Sequence, residues 1–291
     1  MINALTVDLE EYFQVSNFDR VVLREQWDSL PSRLREQTTR LLDLFEASEH
    51  RATFFVLGWV AERHAALLRE IRTRGHEVAC HGYSHELVYQ LGPERFRKDL
   101  RRARAALEDA CGAAVDAYRA PSYSITRDSL WALRILVEEG FTLDSSIFPI
   151  RHPRYGIPGF FREPVHLDLG DGLYLSEFPL TTLRLGPVLL PLAGGAYLRF
   201  LPAPLFRWGF QRLVQARQAT VLYLHPWEID PTQPRQKVGW RIRINHYYNL
   251  SRTEERLRWL LTHFPFSPLG ESLRTLKETG QLPIRRLEEL A

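Results

Sequence analysis

Short strand-like runs alternate with longer helix-like segments through the first half of this chain of 291 residues. Residues 3–7, 52–57 and 77–80 are apolar or β-branched runs of strand length, and helical periodicity occupies the segments between them. Gly75 and Gly140 follow two of the helical segments, where glycine commonly ends a helix. Because repeated strand–helix units form a parallel sheet covered by helices, the sequence predicts an α/β fold.

This alternation stops between residues 150 and 200, where six prolines interrupt the chain. Long segments of this kind in compact domains usually form lids or binding walls, so we predict a functional insertion at 150–200. A strand pattern resumes at residue 219 and ends at His225, and an amphipathic helical segment is predicted over 250–291. We expect one domain with a core formed by residues 3–150 and 219–230.

Composition and charge exclude several classes of protein. The formal charge of +3 is small, and no basic face interleaved with aromatic residues is evident, so we expect no nucleic-acid partner. Two cysteines, Cys80 and Cys111, do not make a disulfide scaffold. We see neither a membrane-spanning run nor a signal-peptide pattern, so we predict a cytoplasmic location, with a removed leader as the open alternative.

Side chains with useful chemistry follow the predicted strands. Asp8, His81, Arg119 and Asp144 each lie at or just after a strand end. In parallel α/β folds the functional groups gather at the carboxyl ends of the strands. The sequence therefore predicts that these four side chains converge on one site.

The segment His81-Gly82-Tyr83-Ser84-His85 points to a metal. Two imidazoles four residues apart can face the same way on one helical turn, and Asp8 and Glu10 would share a face of a strand. A histidine pair alone is weak evidence, because ordinary core or surface histidines show the same spacing. Together with the acids it predicts a catalytic divalent metal site that activates water.

Five segments together resemble the motifs of the polysaccharide deacetylase family, the NodB-like carbohydrate esterases. They are, in the family's order, Thr6–Glu10, His81–His85, Arg119–Tyr123, Leu143–Ser146 and Leu222–His225. The later segments around 225–230 and 245–249 look like the subgroup found near bacterial exopolysaccharide and protein-sorting loci.

The resemblance implies a distorted (β/α) TIM-like barrel of about seven parallel strands. It also implies a hydrolase that removes N-acetyl groups from amino sugars of a bacterial polysaccharide or its precursor and releases acetate. The cofactor would be a divalent metal, zinc in the first place, with Co²⁺ or Ni²⁺ as alternatives. The partner would be an N-acetylated glycan, with polysaccharide-export machinery as a further candidate. The sugar, its linkage and the oligomeric state stay open.

By the same resemblance, Glu10, His81 and His85 would bind the metal, and Asp8 would be the general base. Two departures from the family's motifs bear on this assignment. The second acid follows Asp8 by two residues instead of one, and Gly82 replaces the usual Ser or Thr. Whether Glu10 or another acid is the third ligand is therefore open.

Further roles follow from the resemblance. Arg119 would pair with the general base, His225 would be the general acid, and Asp144 would orient His225. A backbone N–H near Tyr123 would stabilise the oxyanion. The indole of Trp227 is a candidate for stacking on a sugar ring, although core packing is an equal alternative for an aromatic residue.

Two other functions remain open. The first is an amidohydrolase or deformylase that acts on a small cyclic amide or a lipid-linked amino sugar. The second is a non-catalytic carbohydrate-binding pseudoenzyme, which would need neither Asp8 nor His225. An open groove would favour a polymer, whereas a lid made from residues 150–200 would favour a small substrate.

Overall fold

A nine-stranded sheet with helices packed outside it organises the computed structural model, which describes residues 1–290. The strands of this sheet and of a second, two-stranded sheet are β1 (Asn3–Leu9), β2 (Thr53–Val56), β3 (Glu77–Cys80), β4 (Ala117–Tyr118), β5 (Leu143–Asp144), β6 (Val165–Asp168), β7 (Tyr174–Glu177), β8 (Thr182–Leu185), β9 (Val188–Pro191), β10 (Thr220–Leu224) and β11 (Ile284–Arg286). The helices are α1 (Leu34–Ala47), α2 (Gly58–Arg63), α3 (Ala65–Thr73), α4 (Val88–Cys111), α5 (Trp131–Glu138), α6 (Ala196–Phe200), α7 (Ala203–Gln215), α8 (Trp240–Tyr247), α9 (Thr253–His263) and α10 (Leu269–Glu278).

Seven neighbouring strands of this sheet are parallel, in the order β10-β1-β2-β3-β4-β5-β7. Strand β6 then pairs antiparallel with β7, and β11 pairs parallel with β6. The predicted α/β class and the number of parallel strands are confirmed. Strand β1 is buried along its whole length, as expected for a parallel strand that is covered on both faces.

The main sheet does not close by strand pairing within residues 1–290, because β10 and β11 are its two edges. Irregular segments of the insertion pack along the free edge of β10, where no further strand is paired within the described part of the chain. The Thr181 hydroxyl exchanges two hydrogen bonds with the backbone of Val221, at 2.7 and 2.8 Å. Gly194 lies so close to Tyr223 that a Cβ atom would be 2.0 Å from the Tyr223 carbonyl oxygen, and its φ is +116°. Only glycine fits this contact.

Apolar stripes attach the helices to the sheet. Leu41 and Phe45 of α1 and Leu100 and Leu107 of α4 are fully buried in the largest core cluster. Each such side chain stabilises the fold by roughly 2 kcal/mol when it leaves water. Helix α4 ends at Gly112, whose φ of 67° is the left-handed conformation typical of a glycine after a helix.

The predicted insertion is more regular than its prolines indicate. It contains β6 to β9 and the whole of α6, and β7 is one of the seven parallel strands. The pair β8–β9 forms a separate two-stranded sheet. The predicted C-terminal helical segment holds α9, α10 and also β11, and its last residue, Ala291, lies outside the described residues. No helix in residues 1–290 combines the length and hydropathy needed to cross a membrane.

Candidate active site

One pocket lies at the carboxyl ends of the central strands. Asp8 and Glu10 lie at the end of β1, His81 follows β3, and His225 follows β10. Val7 pairs with the last residue of β10, so His225 is placed beside the end of β1. The cavity has a volume of about 410 Å³, and the predicted site residues on its wall are Asp8, Glu10, His81, His85, Tyr123, His225 and Trp227.

Three buried side chains form a potential metal site. Ligand atoms of Glu10, His81 and His85 all lie within 4.8 Å of one another. Oε2 of Glu10 has no hydrogen-bond partner, although Nε2 of His85 lies only 2.9 Å away. A buried carboxylate oxygen without a donor is costly unless a cation neutralises it. Two imidazoles and a carboxylate are also a donor set that binds divalent metals.

A loop, and not the expected helical turn, brings the two histidines together. Gly82 has a φ of +75°, and His85 has a φ of 54°, which is uncommon for a residue with a side chain. Asp99 of α4 accepts a hydrogen bond from the Tyr83 N–H at 3.0 Å. A Cβ atom on Gly82 would lie 3.1 Å from the same Asp99 carboxylate. This crowding and the positive φ explain why glycine occupies the position.

His81 is held in the form that binds a metal. Its Nδ1 lies 2.8 Å from the carbonyl oxygen of Arg119. A carbonyl can only accept a hydrogen bond, so Nδ1 carries the proton and Nε2 is left as a ligand atom. Burial lowers the pKa of His81 to about 4, which keeps the ring neutral at physiological pH.

Glu10 is ionised in spite of its burial. Desolvation would raise the pKa of this carboxyl, but the neighbouring histidines His85, His225 and His81 hold it at about 2. Its second oxygen, Oε1, accepts a hydrogen bond from Nε1 of Trp227 at 3.2 Å. Glu10 therefore presents one anchored oxygen and one oxygen without a partner.

Asp8 lies beside this cluster and has a different partner. Nη1 of Arg119 donates to Oδ1 of Asp8 at 2.7 Å. Arg119 is fully buried and also donates to the Thr6 hydroxyl and to two oxygens of Ser145. Oδ2 of Asp8 is left with one long contact of 3.4 Å to the Tyr123 hydroxyl. Arg119 thus fixes Oδ1 of Asp8 and leaves Oδ2 available to accept a proton.

His225 faces Asp8 and Glu10 across the pocket. Its Nε2 is 3.9 Å from Oδ2 of Asp8 and 3.6 Å from Oε1 of Glu10. Its Nδ1 lies 3.0 Å from Oε2 of Glu228, and a carboxylate in this position accepts a hydrogen bond from the Nδ1–H group. Burial would lower the pKa of His225, but the hydrogen bond to Glu228 and the charges of the three acids raise it to about 9.

A buried arginine supports Glu228 from behind. Nε of Arg199 donates to Oε1 of Glu228 at 2.7 Å, and both side chains are almost completely buried. Desolvation opposes ionisation of Glu228, but Arg199 and His225 hold its pKa at about 2. Arg199 also donates to the carbonyl oxygens of Asn245, His246 and Tyr248 at 3.0–3.1 Å. We name the series His225–Glu228–Arg199 the acid relay.

Comparison with known proteins identifies the family. Residues 18–137 match the model described as polysaccharide deacetylase. Over these residues the chain is thus similar to the polysaccharide deacetylase family. The predicted resemblance to the family is confirmed, whereas the exopolysaccharide subgroup stays a prediction. Residues 145–274 match a second model, which is described as a domain of unknown function (DUF3473).

Three curated relatives align with part of this chain. The polysaccharide deacetylase-like protein YheN of Bacillus subtilis is 31% identical over 40% of this chain and 44% of its own length. The peptidoglycan-N-acetylglucosamine deacetylase of Bacillus cereus is 30% identical over 33% and 36%. The chitooligosaccharide deacetylase of Sinorhizobium fredii is 36% identical over 32% and 43%. The matches thus span less than half the length of these relatives.

Solved structures share the fold over nearly the whole chain. A polysaccharide deacetylase homologue from Mycobacterium smegmatis superposes with a TM-score of 0.66 at 20% identity, over 97% of this chain and 92% of that one. Puue allantoinase superposes with a TM-score of 0.62 at 16% identity, over 96% and 91%. At these identities the superpositions establish the fold alone.

The structure does not place Asp144 beside His225, as its predicted role would require. The carboxylates within ion-pair distance of His225 belong to Asp8, Glu10 and Glu228. Asp144 is fully buried, accepts a hydrogen bond from Ser146, and faces the buried Glu177, and burial raises the pKa of both acids. Glu228 orients His225 instead. The sequence contains a sign of this, since an acid three residues after a cap position commonly reaches back to the cap backbone.

Two predicted substrate contacts also differ from expectation. The backbone N–H of Tyr123 itself donates to the Ala120 carbonyl at 2.9 Å, so the prediction of an oxyanion donor near Tyr123 now rests on neighbouring N–H groups. Trp227 is only 6% exposed and stacks against the rings of His225 and His246. It offers no open face to a sugar, and its contribution is the hydrogen bond that anchors Glu10.

Proposed function

We propose that this chain is a metal-dependent N-deacetylase that removes N-acetyl groups from amino sugars of a bacterial polysaccharide or its precursor and releases acetate. The main support is the cluster of Glu10, His81 and His85, with a free carboxylate oxygen of Asp8 on one side and the Nε2 of His225 on the other. The named activities of the relatives, on peptidoglycan and on chitooligosaccharides, agree with this chemistry.

Glu10, His81 and His85 would hold the cation, which we propose to be zinc, with Co²⁺ or Ni²⁺ as alternatives. A divalent metal bound there would lower the pKa of a water molecule and polarise the acetyl carbonyl. Asp8 is not among the three clustered ligands. Its separate position lets it act as a base.

Asp8 would take the proton of the attacking water as general base. Arg119 holds its Oδ1, so the proton would go to Oδ2, the oxygen that faces His225. The rigid support comes from inside the sheet, where Arg119 is fully buried and stacks over Phe55 at 4.1 Å. The base is thereby oriented before the substrate arrives.

His225 would protonate the amine as it leaves, because an amine anion is a poor leaving group. The raised pKa of about 9 keeps the His225 ring protonated at neutral pH. Glu228 accepts a hydrogen bond from Nδ1–H, so that Nε2 points into the pocket. Arg199 keeps Glu228 ionised for this purpose. Base and acid thus face the same pocket, with Oδ2 of Asp8 and Nε2 of His225 3.9 Å apart.

The insertion favours a short substrate. His152, Arg154, Tyr155 and Tyr197 line the same pocket as the predicted catalytic groups. The Tyr155 and Tyr197 hydroxyls are 3.0 Å apart, and His152 stacks on Tyr155 at 3.7 Å, so this wall is ordered. We therefore infer that a chain end or a single lipid-linked amino sugar fits better than the middle of a long polymer. A small amide is the second candidate substrate, because the same ordered wall would also enclose a small molecule.

Acetate release tests the proposed function. Purified protein would be incubated with N-acetylglucosamine oligomers, peptidoglycan fragments and a small cyclic amide, with and without a chelator. We expect acetate from an amino-sugar substrate, loss of activity with chelator, and recovery on adding Zn²⁺ or Co²⁺. Sugar binding without turnover on any substrate would instead indicate a pseudoenzyme. The cytoplasmic location and an association with export machinery stay predictions.

A further inference from the structure

The outer face of α8 exposes large apolar side chains beside the pocket. Trp240, Ile244 and Tyr248 are 67%, 48% and 48% exposed. Trp240 and Ile244 lie one turn apart on α8, and Tyr248 follows as the residue directly after the helix. We call these three residues the α8 outer face. Contiguous exposed apolar side chains of this size usually mark an interaction surface.

Positive charge is concentrated around this face. Residues 231–250 include four of the 38 Lys and Arg residues and none of the 35 Asp and Glu residues, so the rest of the chain has 34 cations against 35 acids. The four cations, all exposed, are Arg235, Lys237, Arg241 and Arg243. Arg241 lies over the Trp240 ring at 5.2 Å. By helical periodicity Arg241 and Arg243 flank the α8 outer face on its two sides.

The α8 outer face is rigidly connected to the pocket. Arg199 binds three carbonyl groups at the end of α8 and also binds Glu228 of the acid relay. Phe200, next to Arg199, stacks on Tyr248 at 5.0 Å and lines the pocket. The exposed apolar stripe therefore continues to the pocket mouth.

We propose that the α8 outer face docks this protein on an anionic phospholipid bilayer. Tryptophan and isoleucine flanked by arginines are the combination that inserts at the level of lipid headgroups, with the cations against the phosphates. A neutral glycan would leave the four cations without a partner, and an anionic glycan that stacks on Trp240 would still leave Ile244 in water. Docking would place the pocket mouth at the bilayer surface.

Cosedimentation with vesicles tests the docking. Vesicles of phosphatidylcholine mixed in equal parts with phosphatidylglycerol are compared with pure phosphatidylcholine at low and high salt. We expect binding to the anionic vesicles that weakens with salt. The double variant Arg241→Ser/Arg243→Ser should bind about 25-fold more weakly, at about fivefold per cation. Trp240→Ser/Ile244→Ser should also lose binding.

The matched control is Arg72→Ser/Arg274→Ser, which removes the same charge from exposed positions on α3 and α10. It should bind like the wild-type protein, and circular dichroism verifies that every variant is folded. Absence of binding to anionic vesicles, or equal weakening by the control, would overturn the proposal. So would binding to soluble alginate without binding to vesicles. The assay involves no turnover, so its outcome is independent of the proposed deacetylation.

Discussion

The two sides of the pocket are built from different parts of the chain. The ligand side, Glu10, His81 and His85, comes from the end of β1 and the loop after β3, all within the first 85 residues. The acid relay comes from α6 and the turn after β10, in the part that matches the domain of unknown function. The residues of the ligand side converge because the parallel strands β1 and β3 end at the same edge of the sheet. The acid relay depends instead on a buried arginine that contacts a residue distant in the sequence.

This difference separates two tasks. The ligand side needs neutral imidazoles, and burial supplies them by lowering the pKa of His81. The acid side needs a protonated imidazole, and buried acids supply it by raising the pKa of His225. The same residue type thus has opposite charge states a few ångströms apart, since only His225 has a carboxylate on its Nδ1.

The largest effect is expected on the ligand side. His81→Ala should abolish both metal binding and acetate release, because the remaining two ligands cannot hold the cation tightly. Metal content by atomic spectroscopy and acetate assays measure the two outcomes. A variant that retained its metal would break the assignment of the ligand side.

On the acid side, His225→Ala should retain the metal and slow turnover by about 10²- to 10⁴-fold, the usual contribution of one positioned acid. The measurement is kcat together with metal content. Loss of the metal in this variant would show that the two sides are not separate.

A smaller effect is expected from Glu228→Gln. Removing this carboxylate should lower the pKa of His225 from about 9, so the alkaline limb of the pH–rate profile moves to lower pH. Activity at alkaline pH should fall about 10-fold to 100-fold, since one pH unit changes the protonated fraction tenfold. Asp144→Asn is the matched control, because it also removes a buried acid but should leave this limb in place. An equal shift in both variants would contradict the acid relay.

The smallest effect concerns the strand that carries His81. His76 precedes β3, and its Nδ1 accepts the Ala52 N–H at 3.0 Å. Burial lowers its pKa to about 4, so below pH 6.5 the unfolded chain takes up a proton that the native state refuses. His76 by itself should therefore contribute a fall of up to about 3 kcal/mol in the free energy of unfolding between pH 6.5 and 4. His76→Asn keeps the acceptor and should reduce this fall in urea titrations; an unchanged pH dependence would refute the assignment.

The sequence predicts the ligand side well and the acid side poorly, for physical reasons. Strand ends and local spacing identify Asp8, Glu10, His81 and His85, because parallel strands bring their carboxyl ends together. Arg199 has no such local sign. Its partner Glu228 is 29 residues away, and an arginine on a short helix is usually solvated.

Aromatic residues and the insertion show the same limit. Trp227 is equally compatible with sugar stacking and with core packing until its neighbours are known, and the structure places it between histidines. Strand β7 lies in a proline-rich segment, and only its pairing with β5 reveals it as part of the parallel sheet. Contacts between distant residues decide both cases.

Metal stoichiometry in two acid variants tests the central claim most directly. We expect about one divalent cation per chain in the wild-type protein and in Asp8→Asn, and none in Glu10→Gln, because we propose Glu10 as the ligand and Asp8 as the unbound base. Asp8→Asn should at the same time be inactive. Retention of the metal by Glu10→Gln together with its loss from Asp8→Asn would exchange the two roles and contradict the account.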